Sequence, residues 1–397
     1  MNIDLLFAII FYGLILIFFL KNRDKFLVQG KIIAMYRTKL GLKLMDKIPR
    51  FLPRAWKILG IIGVVVGFIG MAFILYMLVV GTYNLIFTPN AQPALSPVLP
   101  GIRIPGLPNL SFWHWVIGIF FVAVVHEFAH GIYARLYNVK VKNSGFVLFG
   151  PILGAFVEPD EKKLQKERKH VQLSVFAAGP FSNIVFSVIF FFLMTSVVTP
   201  MQDNLYEPDG IKVNTILEDF PAGKAGLPKG VVLKSINGQS TLSAAEFMNA
   251  TEEISPGDVL NLETDKGTYA ITAAANPDNE SRGFMGVSDF SIETKLKDSA
   301  KAKYGDVLPK VLSWLGLLVF WLFVINFGIG LFNLLPLGPI DGGRMLYAGL
   351  LGIMSKEKAT KIWSSISYFC MLLIFVNLLP WLYKLLLFLF KILTPFS

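Results

Sequence analysis

Phe112-Trp-His114-Trp-Val-Ile-Gly-Ile-Phe-Phe-Val-Ala-Val-Val-His126-Glu127-Phe128-Ala129-His130-Gly-Ile-Tyr-Ala-Arg135-Leu136 is the stretch on which the fold turns. It is apolar until the five residues His126 to His130, and it reads as a membrane-crossing helix. On a helix, positions i and i+4 share one face, about a turn apart. His126 and His130 can therefore aim their imidazoles at a common centre, with Glu127 beside them. Two His at this spacing with an adjacent Glu form the pattern of a zinc site whose Glu serves as general base. An ionisable side chain at membrane depth costs about 2.5–3.5 kcal/mol on insertion scales, so a Glu between two His in such a segment marks a functional site.

The composition supports a membrane chain. Apolar residues make up 54% of it, above the 45–50% usual for soluble domains. The single cysteine, Cys370, excludes an intrachain disulfide and a thiolate zinc cluster. The four histidines are His114, His126, His130 and His170, so any metal must be held by these and by carboxylates. The net charge is +10, but the Lys and Arg residues cluster in loops beside apolar segments. That is the positive-inside pattern, and it argues against nucleic acid as a partner.

Six spans are expected, at 5–20, 59–80, 112–136, 173–198, 312–335 and 366–385, which makes this an α-helical polytopic membrane protein in the lipid bilayer. Lys21, Arg23 and Lys25 follow the first span and place its end in the cytoplasm; with no positive n-region before it, it reads as an anchor. Residues 21–57 carry eleven Lys or Arg against Asp24 and Asp46. They read as a basic cytoplasmic segment, either amphipathic on the anionic leaflet or solvated. The loop 88–110, with Pro at 89, 93, 97, 100, 105 and 108 and Arg103 as its one charge, is expected to be extended and outside. Residues 141–157 are apolar but too short, and too broken at Gly150-Pro151, to span. They read as a re-entrant hairpin of short strands or a plain cytoplasmic hairpin, whose edge could pair with an extended substrate. Residues 201–300 reverse the charge bias, with sixteen Asp or Glu against eight Lys or Arg, as expected of a separate extracytoplasmic domain. The domain boundaries that follow are 1–57 for the first span and basic segment, 58–200 and 301–397 for the two parts of the membrane core, and 201–300 for the insert. Pro380 is expected to kink the last span, and 386–396 to extend it or lie in the interface.

A catalytic zinc usually takes three protein ligands. His114 lies too far along the helix axis and His170 lies in a basic loop, which leaves carboxylates. Asp341 is the only Asp or Glu between Asp306 and Glu357, in the run Asn333-Leu-Leu-Pro336-Leu-Gly338-Pro339-Ile-Asp341-Gly342-Gly343. An unpaired carboxylate there would be costly, and zinc would pair it.

His-Glu-x-x-His in one span, Gly179-Pro180-x-x-Asn183 in the next, and Asn333 leading to Asp341-Gly342 in a later one together resemble the site-2 protease family of intramembrane zinc metalloproteases. The resemblance covers roughly residues 112–343. It implies one Zn2+ per chain on His126, His130 and Asp341, with Glu127 activating water. It also implies that Asn183 lies near the site as an oxyanion or substrate contact, and that Asn333 holds the substrate backbone. Gly338 stands where many members have Pro. The insert resembles a PDZ domain in Val213 to Ile216, Pro221 to Leu227, Val231 to Gly238, Pro256-Gly257-Asp258 and Tyr269 to Thr272. Such a domain either binds a peptide or protein by strand addition or acts as a size filter. The implied substrate is a single-span transmembrane protein, cut near its cytoplasmic side, in the cell membrane of a prokaryote. Three other readings are a catalytically silent scaffold that presents the PDZ-like domain, a metal transporter, and an integral-membrane zinc protease of another class.

Overall fold

A computed structural model describes residues 3–30, 33–89, 91–102, 104, 106–150, 152–277 and 279–393. Arg103, Pro105, Pro151 and the tail from 394 lie outside the described residues, and with them parts of the loop, turn and tail expectations. The chain divides into two compact units, one of Met1–Ile104, Pro108–Leu193 and Leu317–Ser397, the other of Met194–Gly316 with Pro105–Leu107. Among the described residues, six helices are long and apolar enough to cross a membrane, namely Asp4–Lys21, Pro53–Phe87, Phe112–Leu136, Lys169–Leu205, Val307–Asn333 and Lys356–Leu387, and each contains or overlaps an expected span.

The first unit starts with α1 (Ile3–Lys21), whose outward residues include Ile9, Leu14, Leu16, Ile17 and Leu20. An exposed apolar surface of that extent needs lipid to cover it. Strands β1 (Phe26–Gln29) and β2 (Ile33–Thr38) follow, then the short α2 (Leu42–Lys47), α3 (Pro53–Phe87) and α4 (Phe112–Leu136). Strands β3 (Val141–Phe149) and β4 (Ile152–Pro159) lead to α5 (Glu161–Leu164) and α6 (Lys169–Leu193). The four strands form one antiparallel sheet in the order β1-β2-β3-β4, with Tyr36 opposite Phe146 and Phe146 opposite Ala155. The hairpin of residues 141–157 is therefore real, but it is half of a larger sheet. The segment 21–57, read as an amphipathic or solvated basic stretch, supplies the other half. Its apolar run at 33–36 pairs with a strand more than a hundred residues on, and local pattern carries no signal of that.

The second unit contains α7 (Thr199–Leu205), β5 (Tyr206–Ile216), α8 (Pro221–Lys224), β6 (Val232–Ile236), β7 (Gln239–Ser240), α9 (Ala244–Glu252), β8 (Val259–Thr264), β9 (Gly267–Thr272), β10 (Ala274–Asn276), β11 (Asn279–Phe284), β12 (Val287–Leu296) and α10 (Asp298–Tyr304). Its main sheet runs β12-β5-β6-β8-β9, with β7 beside β6. The buried faces of these strands carry Ile211, Val213, Leu233, Ile236, Leu260, Leu262 and Ile271 in one core. Ser243 and Glu246 close the start of α9 with a reciprocal capping box.

The chain passes along α11 (Val307–Asn333) from the second unit into the first, which it completes with α12 (Asp341–Ile353) and α13 (Lys356–Leu393). Asp341, in the Gly/Pro run that follows α11, is the first residue of α12, and the prolines at 336 and 339 confine the break between the two helices to a short turn. Small residues set the packing. On α3, a Cβ at Gly67 would lie 2.5 Å from Met345 Cε, and one at Gly70 would lie 2.5 Å from Leu334 Cδ1. Glycine therefore lets α3 approach α12 and the end of α11 closely, as membrane helices do. Ala129, Ile132 and Tyr133 of α4, Val175 and Phe176 of α6, and Leu334 and Met345 share the core beneath the site.

Candidate metal centre

One helical turn of α4 brings the two imidazoles together, with His126 Nε2 and His130 Nε2 3.1 Å apart. The first turn of α12 brings Asp341 to them, its Oδ2 at 2.9 Å from His126 Nε2 and 3.2 Å from His130 Nε2. The three side chains are only 10–12% exposed. Three convergent donor atoms of this kind could hold a metal ion. Around a tetrahedral zinc, atoms about 2.0–2.1 Å from the metal lie roughly 3.3 Å from one another, close to these separations. The two-nitrogen, one-oxygen set also suits zinc chemically.

Close backbone approach frames the three atoms. Gly179 of α6 faces them, and a Cβ there would sit 2.4 Å from His130 Nε2 and 2.6 Å from His126 Nε2. Nothing but glycine leaves the space. At the other wall, Cβ atoms on Gly342 and Gly343 would come within 2.2 Å of Leu334 O and 2.1 Å of Leu337 O. The Asp-Gly-Gly turn is thus pressed against the end of α11. From α13, Trp363 Nε1 donates to Gly343 O at 2.9 Å and Ser367 Oγ to Pro336 O at 3.2 Å, which pins that turn.

His130 also donates from Nδ1 to the carbonyl of Val175, 2.7 Å away. That bond fixes the tautomer and leaves the Nε2 lone pair facing the centre. Glu127 stands on the strand side, where its Oε2 accepts the Val157 N–H at 2.9 Å. β4 bonds to β3 on its other side, and among the described residues no strand pairs with the edge that carries this N–H.

His126, Glu127, His130, Asp341 and Asn333 line one cleft of about 360 Å³, together with Met35, Phe156, Glu158, Glu161, Phe176 and Arg344. Asn333 is half in it, its Nδ2 donating back to Ile329 O at 3.1 Å. Asn183 does not reach the cleft. It is fully buried behind His126, with its amide 3.1 Å from the ring's Nδ1. His114 is buried near the start of α4 beside Ser111, 2.5 Å away, and His170 lies at the start of α6 near Tyr137.

Several groups at the site carried no signal in the sequence. The Val157 and Val175 contacts are made by backbone, which every residue has. Arg344 bonds both carboxylate oxygens of Glu161, at 2.8 and 2.9 Å, and stacks 4.1 Å above the Phe176 ring. Only the spacing of Arg344, three residues after Asp341, could have suggested it. A second, apolar hollow of about 180 Å³ lies on the other side of Glu127, lined by Leu40, Met45, Val124, Phe128, Phe146 and Ala155 among others.

Known proteins give this geometry a lineage. An uncharacterized protein of Methanocaldococcus jannaschii is 28% identical over 351 residues, covering 86% of this chain and 85% of its own length. The zinc metalloprotease RasP of Shouchella clausii is 22% identical over 207 residues, 41% of this chain and 49% of that one. A solved PDZ domain of an SdrC-like protein from Listeria monocytogenes aligns with 23% of this chain and 90% of its own, at 21% identity and a TM-score of 0.18. The model of peptidase family M50 matches residues 114–376, a range that holds both histidines, Glu127 and Asp341. The chain therefore belongs to peptidase family M50, the site-2 protease family of zinc metalloproteases.

Proposed function

We propose that the chain is an intramembrane endopeptidase that hydrolyses a peptide bond in or near the transmembrane helix of a single-span membrane protein. The observation that carries this reading is the convergence of His126 Nε2, His130 Nε2 and Asp341 Oδ2 within 3.2 Å of one another, in a cleft shared with Glu127 and built on membrane-spanning helices. His126, His130 and Asp341 would hold the zinc. Bound there, zinc acidifies water and polarises a carbonyl.

The chain's own groups do the rest. Glu127 takes the proton of the attacking water and returns it to the leaving amine. The Val157 N–H keeps that carboxylate aimed along β4. An unwound stretch of substrate adds to the open edge of β4, where backbone bonding aligns its carbonyls without regard to sequence. Asn333, on the cleft wall, is placed to bond that backbone. The apolar hollow beyond Glu127 takes an apolar side chain next to the scissile bond. The basic stretch at 21–57 and the charged stretch at 158–170 support a cytoplasmic side for the cleft, and the reversed charge bias of 201–300 supports an outer side for the insert. There it binds a peptide terminus or limits the size of the substrate's outer part.

The test is cleavage of a helix-destabilised single-span substrate by detergent-purified protein, beside Glu127→Gln and with a zinc chelator. The parent should cleave and lose activity on chelation. Glu127→Gln should keep its zinc and lose roughly 10²–10⁴ in rate. Equal cleavage by Glu127→Gln would sink the mechanism.

A further inference from the structure

The two imidazoles of the centre are backed by different groups of α6. His130 donates its Nδ1 proton to a backbone carbonyl, Val175 O, at 2.7 Å. Among the described residues, no carbonyl bonds His126 Nδ1. Its Nδ1 faces the side-chain amide of Asn183 at 3.1 Å. Asn183 is fully buried, and with Nδ2 turned toward the ring its Oδ1 has no hydrogen-bond partner among the described residues.

An Asn amide offers an acceptor and a donor of nearly equal shape, and its hydrogen-bond network decides which faces a given neighbour. If Nδ2 donates to Nδ1, the ring must carry its proton on Nε2. That proton would point at His130 Nε2 and Asp341 Oδ2, and no lone pair would remain for a metal. If Oδ1 faces Nδ1, the ring proton lies between them, and Nε2 is free as it is in His130. Only the second arrangement makes both rings ligands. The amide is also held in place. A Cβ on Gly330 of α11 would come within 3.3 Å of Asn183 Cβ and of Pro180 O, so α11 closes directly over this part of α6.

We propose that Asn183 is a positioning residue of the metal centre: its Oδ1 accepts the Nδ1–H of His126 and so fixes the tautomer and ring plane that leave Nε2 to the metal. This rests on the reading of His126, His130 and Asp341 as the ligands. In this role Asn183 acts through His126 and takes no ligand position of its own. Partners of this kind typically change metal affinity 10–100-fold when removed.

The experiment compares zinc affinity of the full-length parent, Asn183→Asp and Asn183→Leu in detergent, by competition with a chromophoric chelator. Melting points of the metal-free forms serve as a folding control. Aspartate keeps an oxygen acceptor, whereas leucine keeps the volume without it. Positioning predicts parent and Asn183→Asp within about tenfold of each other and Asn183→Leu weaker by about 10–100-fold. A packing role predicts the reverse order, because leucine suits a buried apolar site and a carboxylate does not. Asn183→Leu with parental affinity, or Asn183→Asp weakened as much as Asn183→Leu, overturns the proposal. Should Asn183→Leu fail to fold, Asn183→Asp loaded with Co2+ decides. Retained affinity with shifted visible bands supports positioning; affinity lost by more than about tenfold overturns it. A parent that binds no zinc would instead refute the metal centre itself, before any variant is compared.

Discussion

The two walls of the cleft are built on opposite terms. The helical wall, from α4, α6 and α12, is buried and has no spare volume. Three glycines there sit where any Cβ would come within 2.4 Å of a ligand atom or a carbonyl. The strand wall, β2 to β4, is more open. Among the described residues it ends in an edge with no further strand, carries Glu158 near the end of β4, and borders an apolar hollow of about 180 Å³. The difference separates two tasks. Metal ligands must be fixed within a few tenths of an ångström, which close packing achieves. A strand that receives different peptides needs an edge that no further strand occupies. Substitutions in the helical wall should therefore act through the metal, and those in the strand wall through the substrate.

Gly179→Ala should have the largest effect of the substitutions that spare the reacting groups. The added methyl would lie 2.4 Å from His130 Nε2, so one ring or the α6 backbone must move. Zinc affinity should fall by roughly 100-fold or more, above the usual cost of an altered supporting group. The chain should still fold, because the rest of α6 is unchanged. Chelator competition and zinc content per chain read the effect. Parental affinity would mean that the helical wall is looser than its packing implies.

Much of this wall was legible before any coordinates. His126 and His130 declare themselves because i, i+4 spacing is a property of one helix. Asp341 follows from scarcity, since a lone carboxylate in a long apolar stretch needs a partner. The strand wall was only half legible. The 141–157 hairpin shows its turn residues locally, but its pairing with β2 joins residues such as Arg37 and Gly145, far apart in the chain. Periodicity reports what one segment does, not what it meets. Asn183 was found as a motif residue, yet its contact with His126 depends on how α4 and α6 cross, and no spacing encodes that.

The strand wall should respond more selectively. Ala155 shares a sheet face with Phe146 and Val157 and lines the hollow beyond Glu127. Ala155→Phe should fill that hollow and leave zinc binding at its parental level. Cleavage of a substrate with Leu beside the scissile bond should drop about tenfold in kcat/KM, the scale of a misfitted apolar group, while a Gly or Ala substrate should be cut nearly as well. A uniform loss across the series would show that the hollow does not receive a substrate side chain.

The smallest effect is expected where the strand wall is most exposed. Arg37 and Glu158 pair at 2.6 Å across the sheet, and Asn143 Nδ2 donates to the other oxygen of Glu158 at 2.8 Å. Partial burial pushes the Glu158 carboxyl up, but the bonds from Arg37 and Asn143 and the charges of Arg37 and Lys142 outweigh it and hold it below its ordinary value. A carboxyl lowered in the folded state stabilises the fold above its unfolded pKa, about 4.3, and that contribution disappears as pH falls through the lower folded value. Arg37 is 45% exposed on its side chain, so solvent screens the pair and Arg37→Ala should cost no more than about 1 kcal/mol at pH 7. The gap between the melting points of parent and Arg37→Ala should be present at pH 6 and close as pH drops below about 4. A gap that survives acid would mean that Arg37 acts by covering the apolar face of β2 with its stem, not by its charge.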